Sequence, residues 1–569
     1  MRASLYMFRS ATRQLFKSSN IPVLEPGQPE YDRAIATSNR LFRFSRPDCV
    51  VQPETIAHVQ AIVKEAASKK VNLTIKCNGH SYAGHSTAFK GVSLDLRRMN
   101  KVNLDIKSKT VTMDAGCQWG HVYQTLVNGG HEGYIINGGR CPTVGVSGFI
   151  LGGGLGPFTR SFGMGCDTLT EATVVTATGD VVTVKNTDDP NSKEGELFWA
   201  LQGGGGGNFG VLVQMKLKVQ ELENAYGTVV AGRYQWFPKP NKEKADSVPC
   251  DDGVSDGGLS NEAISTMNDF YTTNWPKNIT IDSTWICDLS QKSDGVRFIV
   301  AYDGSQNSYE KTIDKHIKNE ELKTQLKRRV LPEPSTRFLY ETLVNQWLEE
   351  TEKAYPTNKT YELFSSFCFN ERSKIEDITA TIRSLMKKFR SQFRGEQVNF
   401  LVTWIHSGGK ATERNPTDSA FFWREAVYHA YVTVEWTDKW MERDMRSFHA
   451  EVKKALRPLS LNGEAAFINF PDGDFPRQMY ERAYFGDNAD KLRRVKETWD
   501  KTGFFKYDQG VRLPNTATED LNKPDIEDKT DLLSSNLWDS FKYTANKEWE
   551  SYKSTNLKRD LEMLEEDGF

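Results

Sequence analysis

A chain of 569 residues, 38% of them hydrophobic, is long enough for more than one hydrophobic core, so two large domains are expected. Seventy-three Lys and Arg against 75 Asp and Glu leave a formal net charge of −2, too little to draw the chain to nucleic acid or an anionic membrane. The eight cysteines form neither a disulfide framework nor a CxxC pair, no metal site is expected, and no apolar stretch is long enough to span a bilayer.

The first twenty residues carry Arg2, Arg9, Arg13 and Lys17 without an acid, and no apolar run follows them. A secretory signal is therefore not expected. The segment reads as an organelle-import sequence or an ordinary first helix, which suggests a cytoplasmic or organellar protein. From 45 to 220, short helices and strands alternate. Pro53 and Glu54 favour a helix over 56–67. Period-two patterns predict strands at 71–75, 92–96, 110–114 and 172–178, and Gly179-Asp180 predicts a two-residue hairpin into 181–184.

A boundary is expected at 220–240, where an aromatic run leads into a polar stretch and then a loop over 251–258. Beyond it, 298–302, 398–405 and 428–436 read as strands, and 375–388 and 489–498 as helices. In the charged tail, Leu537 and Phe541 are four apart and Trp549 and Tyr552 three apart, a helical spacing.

Two reactive side chains stand in glycine-rich settings: His80 in Cys77-Asn78-Gly79-His80-Ser81-Tyr82, and Cys141 in Gly138-Gly139-Arg140-Cys141-Pro142-Thr143-Val144-Gly145. Glycine lets backbone come close to a flat ligand, and each segment adds one side chain able to bond to it. A redox cofactor held at both points would make the protein an oxidoreductase. Two further clusters, Gly152-Gly153-Gly154-Leu155-Gly156 and the five glycines 203–207 before Asn208-Phe209-Gly210, suit close approach to a nucleotide. Neither matches the dinucleotide fingerprint, because Thr159 stands where its third glycine belongs, and the lysine of a P-loop is absent after Gly207.

Taken as an ordered series, these segments resemble the FAD-linked oxidases of the berberine bridge enzyme and carbohydrate oxidase group, within the vanillyl-alcohol oxidase superfamily. The series starts at Pro53-Glu54-Thr55, passes through the four segments above, and closes with Phe467-Ile468-Asn469-Phe470 and Tyr484-Phe485-Gly486. The resemblance covers about 25–515 and implies an α+β fold: a two-part PCMH-type FAD-binding domain with an inserted sheet-and-helix substrate domain. The implied divisions are 1–220 for FAD binding, 221–464 for substrate and 465–515 as a return segment completing the FAD domain. A helical extension over 516–569 lies outside the resemblance.

The resemblance further implies covalent FAD, attached through His80 as an 8α-histidyl link and through Cys141 as a 6-S-cysteinyl link. Asn78, Gly79, Ser81, Thr143, Gly145, Gly148, Gly153, Gly154, Gly207, Asn208, Phe209, Gly210 and Phe470 complete the implied cofactor site. Asn78 departs from the pattern, since such proteins usually carry glycine there. The family commonly has Asn-Tyr in the return segment, with the tyrosine as catalytic base, whereas this chain has Asn469-Phe470. Phenylalanine takes no proton, so the base must come from elsewhere.

Tyr82 is the leading substitute. Tyr431 and His429 share a face of the predicted 428–436 strand and are candidates for substrate contact or acid–base work, and Asn469 for a hydrogen bond to flavin or substrate. Phe470 and the missing export signal favour a small organic secondary metabolite as substrate, with O2 as acceptor. An oligosaccharide oxidase and a dehydrogenase using another acceptor are the alternatives.

Overall fold

The computed structural model describes residues 16–17, 19–238, 257–347, 359–370 and 373–514. Most of the basic N-terminal segment, most of the 251–258 loop and the predicted tail helices lie outside the described residues.

The chain first builds a four-stranded sheet in the order Val23–Leu24, Cys49–Val51, Val92–Asp95, Leu73–Lys76. Its last three strands are parallel. Cys49–Val51 and Val92–Asp95 are buried along their whole length, as strands covered on both faces should be. Helix Ile56–Ser68 makes the crossover from Cys49–Val51 to Leu73–Lys76, its first turn capped by the Thr55 hydroxyl, which accepts from the His58 N–H. A second, antiparallel sheet follows in the order Val102–Asp105, Thr110–Asp114, Val211–Lys218, Leu169–Val175, Val181–Lys185. The expected hairpin is present, but Leu169–Val175 ends three residues earlier than predicted. Thr176 to Asp180 forms the connection, with the Thr176 N–H on the Asp180 carbonyl and Gly179 at φ 79°.

A third sheet of seven strands runs Val330–Pro334, Thr228–Trp236, Gly295–Tyr302, Ile279–Asp288, Val398–His406, Tyr428–Trp436, Tyr361–Phe369, antiparallel throughout. Thr228–Trp236 falls where sequence reading sets a boundary. Ile279–Asp288 and Tyr361–Phe369 also escape the pattern, because Asp282, Ser283 and Thr284 interrupt the first and Glu362, Ser365 and Ser366 the second. Both strands are nevertheless buried almost throughout, so their polar groups face packed neighbours and not water.

One face of this sheet carries Ile281, Trp285, Phe400, Trp404, Val432 and Leu363. It packs on helices Asn261–Thr272, Ile375–Gln392 and Glu442–Leu456 in one hydrophobic core. The other face carries Phe364, Ile405 and Tyr431, which belong to a second core shared with the first two sheets and with 465–511. Asp282 on that face forms a buried ion pair with Arg140, Nε to Oδ2 at 2.5 Å and Nη2 to Oδ1 at 3.0 Å. The seven-stranded sheet is thereby fixed to the segment that carries Cys141. Contacts tie the described residues into one unit.

Candidate active site

The segment after strand Leu73–Lys76 turns sharply at Gly79, whose φ of 82° suits glycine, and brings His80 to the edge of a cavity of about 340 Å³. Lys76 lies under this turn and donates to the Ala34 carbonyl at 2.8 Å. Burial pushes the His80 ring down to about 4; a hydrogen bond to Thr143 opposes the shift and the Lys76 cation adds to it. His80 is therefore neutral near pH 7, as a nitrogen nucleophile must be. Asn78 is tied down on both sides. Its Oδ1 accepts from Gln118 Nε2 at 2.7 Å, and its Nδ2 donates to the Gly116 carbonyl at 3.4 Å.

Cys141 sits on the turn before helix Val146–Leu151, buried and outside any disulfide. Gly138 and Gly139 lie flat on Trp119, where a Cβ would approach the indole to 2.2 and 2.8 Å. A Cβ at Gly145 would fall 2.3 Å from Cys77 Sγ, so that glycine lets the Cys141 turn settle onto the His80 segment. Thr143 joins the two side chains: its Oγ1 is 3.2 Å from Cys141 Sγ and 3.1 Å from His80 Nε2.

The cavity wall fits a flat ligand followed by a nucleotide. Gly148 lines it, and a Cβ there would meet nothing within 4 Å. Gly206 and Gly207 are nearly as open, their nearest neighbours 3.6 and 3.7 Å from a Cβ. Glycine at these positions keeps space that any other side chain would fill. The volume and mixed lining suit a bound small molecule, and these residues fit FAD.

Above the glycine wall stand four aromatic rings. Tyr82 stacks on Phe364 with centroids 3.9 Å apart and lies 5.8 Å from Phe470, while Tyr431 lies 4.6 Å from Phe470. Ile405 and Trp347 extend this apolar wall, and Glu362 and Arg140 bring charge to the lining. Asn469 also lines the cavity, its Nδ2 donating to the Phe149 carbonyl at 2.9 Å.

Most of the sequence-predicted residues meet here: Asn78, Gly79, His80, Ser81, Tyr82, Cys141, Gly145, Gly148, Gly207, Gly210, Tyr431, Asn469 and Phe470 all line one cavity. Others do not. Gly153 and Gly154, at φ 109° and 77°, form a turn packed on Phe421 and Phe149. Asn208 and Phe209 lie beneath the glycine loop. Asn208 donates to the Gly204 carbonyl and to Tyr507 Oη and accepts from the Val511 N–H.

His429 shares a strand face with Tyr431 but is turned away from the cavity by packing. Its ring lies between Phe421 and Phe467, with Nδ1 3.5 Å from Cys368 Sγ, and burial pushes it down to about 3. His429 is not among the residues that line the cavity, so this geometry gives the acid–base expectation for it no support.

Sequence reading missed Tyr507, Phe364 and Glu362. Tyr507 packs over the glycine loop, 4.9 Å from the His85 ring, with burial lifting its hydroxyl to about 12. Phe364 and Glu362 sit on Tyr361–Phe369, a strand whose pattern gave no signal, so nothing in the sequence marked them.

Comparison with known proteins agrees with this geometry. A family model described as FAD binding domain matches residues 47–185, and one described as berberine and berberine like matches 466–512. The chain is 24% identical to tetrahydroberberine oxidase of Argemone mexicana over 531 residues, covering 87% of this chain and 90% of that protein. It is 34% identical to xylooligosaccharide oxidase of Thermothelomyces thermophilus over 212 residues, or 37% of this chain and 41% of that one. The structure of berberine bridge enzyme from Eschscholzia californica superimposes with a TM-score of 0.72 at 18% identity, covering 89% of this chain and 99% of that one, which is a likeness of fold.

Proposed function

We propose that the chain is an FAD-linked oxidoreductase of the berberine bridge enzyme-like kind, an oxidase of a small aromatic organic substrate, with FAD anchored at both His80 and Cys141. The part formed by 1–220 and 465–515 holds the cofactor, and 221–464 supplies the substrate wall. FAD held by these residues would supply hydride-accepting chemistry, with dioxygen as the electron acceptor and hydrogen peroxide as the product. The observation that carries the substrate class is the group of four rings, Tyr82, Phe364, Tyr431 and Phe470, at the place where the family commonly has its tyrosine base.

These rings offer a flat substrate an apolar stacking surface that excludes water. Tyr82 takes the proton from the substrate hydroxyl or amine. A free tyrosine has a pKa of about 10, so Tyr82 accepts that proton as tyrosinate, after passing its own proton to solvent, with its ring positioned by the stack on Phe364. Tyr431 and Asn469 orient the substrate. The buried Arg140–Asp282 pair keeps the Cys141 turn in place while the cavity fills and empties.

Purified protein is expected to be yellow and to keep its colour through acid precipitation. His80→Ala with Cys141→Ala should lose the colour, and neither change alone should. A screen that follows bleaching and peroxide release together then tests the reaction. Bleaching by aromatic alcohols or amines with equal peroxide supports the proposal. Bleaching without peroxide makes the chain a dehydrogenase. Preferential bleaching by oligosaccharides favours the second reading, for which the 34% identity to xylooligosaccharide oxidase speaks.

A further inference from the structure

One hydroxyl touches both anchoring side chains. Thr143 Oγ1 lies 3.2 Å from Cys141 Sγ and 3.1 Å from His80 Nε2. Its place is set by backbone. The Val144 N–H closes a turn onto the Cys141 carbonyl, the Gly120 N–H binds the Pro142 carbonyl, and the Trp119 N–H binds the Val144 carbonyl. A β-branched residue on a turn pinned at three points has few χ1 choices. A hydroxyl can donate and accept at once, so Thr143 can accept from the thiol while donating to the imidazole.

We propose that Thr143 relays the Cys141 thiol proton to His80 Nε2, so that Cys141 reacts as thiolate and the His80 link precedes the Cys141 link. This rests on the two-point attachment put forward above. Each attachment exchanges one cofactor C–H and one protein N–H or S–H for a C–N or C–S bond. Two electrons and two protons leave, and dioxygen takes them as one hydrogen peroxide. In the second attachment the leaving S–H proton must first reach a base, because the thiolate is the nucleophile. With His80 Nδ1 committed to the cofactor, Nε2 keeps a lone pair 3.1 Å from the Thr143 oxygen.

The test is the full-length chain as wild type, Thr143→Val, Thr143→Ala and Thr143→Ser. Each is produced in a flavin-limited host and then given FAD. Intact mass and peptide mapping follow the His80 and Cys141 links separately over time. Thr143→Val and Thr143→Ala should still bind FAD and form the His80 link, while the Cys141 link forms roughly 10²-fold more slowly, the low end for a positioned proton transfer. Thr143→Ser should restore the rate. In Thr143→Val the Cys141 rate should climb with pH as solvent takes over the thiol proton, whereas the wild-type rate should stay flat. His80→Ala should slow the Cys141 link, and Cys141→Ala should leave the His80 link alone.

Wild-type rates for both links in Thr143→Val and Thr143→Ala overturn the relay and leave two-point attachment standing. Loss of FAD binding in all three variants, Ser included, makes Thr143 structural and overturns it too. Wild-type protein that carries no link at either residue overturns both readings.

Discussion

At the residue scale, a short glycine-rich segment identifies itself by chemistry. His80 and Cys141 are 61 positions apart, yet each stands out because a reactive side chain among glycines has few structural uses. The structure adds what spacing could not: the hydroxyl between them, and the four rings opposite. The base is the residue-scale question, and Phe470 removes the family's usual answer. If Tyr82 takes the proton, Tyr82→Phe should leave flavin absorbance unchanged and slow bleaching by about 10²-fold or more under single-turnover conditions. Tyr431→Phe should change substrate affinity more than rate. The opposite pattern would move the base to Tyr431.

At the scale of elements, helix Val146–Leu151 and the residues that follow show how glycine serves two purposes a few positions apart. A Cβ at Gly148 meets nothing, while one at Gly152 would fall 2.0 Å from Asn469 Oδ1. Gly148→Ala should therefore stabilise the apoprotein by about 0.5–1 kcal/mol through helix propensity while lowering FAD occupancy, because the methyl enters the cavity. Gly152→Ala should destabilise by about 1–3 kcal/mol through overpacking and free Asn469 from the Phe149 carbonyl. Thermal melts and flavin-to-protein absorbance ratios on the two variants separate the effects; equal behaviour of the pair would contradict the cavity assignment. The same logic explains the unequal legibility of strands. Tyr428–Trp436 was readable to the residue because apolar and polar positions alternate, whereas Ile279–Asp288 carries Asp282 at a buried position satisfied by Arg140 and the His406 N–H, both far away in sequence.

Across the whole molecule, one buried ion pair holds the seven-stranded sheet to the Cys141 segment. Burial lifts the Asp282 carboxyl above its ordinary value although Arg140 and the His406 N–H pull it down. Asp282→Asn keeps the shape but strands the Arg140 charge, which should cost about 3–5 kcal/mol, read as a lower Tm. The fold as a whole should also be acid-labile above the usual carboxylate range. Burial depresses His429 to about 3 and His449 to about 4, and pushes His406 well below its ordinary value of 6.5. The unfolded chain binds protons at these rings below pH 6.5 and the folded chain does not, so their contribution is complete above 6.5 and drains away as pH falls toward 4. Tm should fall between pH 6.5 and 4.5, and a flat or rising Tm over that interval would sink the idea.

By itself the sequence determined which segments meet at the cavity: those of His80 and Cys141, most of the glycine wall, Phe470 where the resemblance expects tyrosine, and the strands and helices whose apolar period is clean. Those features are local, because a glycine turn or an amphipathic helix carries its own physical cause within a few residues. Tertiary structure decided the rest. It buried His429 among aromatic rings instead of in the cavity, and it moved Gly153, Gly154, Asn208 and Phe209 from the cavity wall to its support. It also brought Phe364 and Glu362 into the wall from a strand with no readable pattern. Which face of a fully buried strand meets a ligand depends on what packs against each side, and that information is spread over residues hundreds of positions apart.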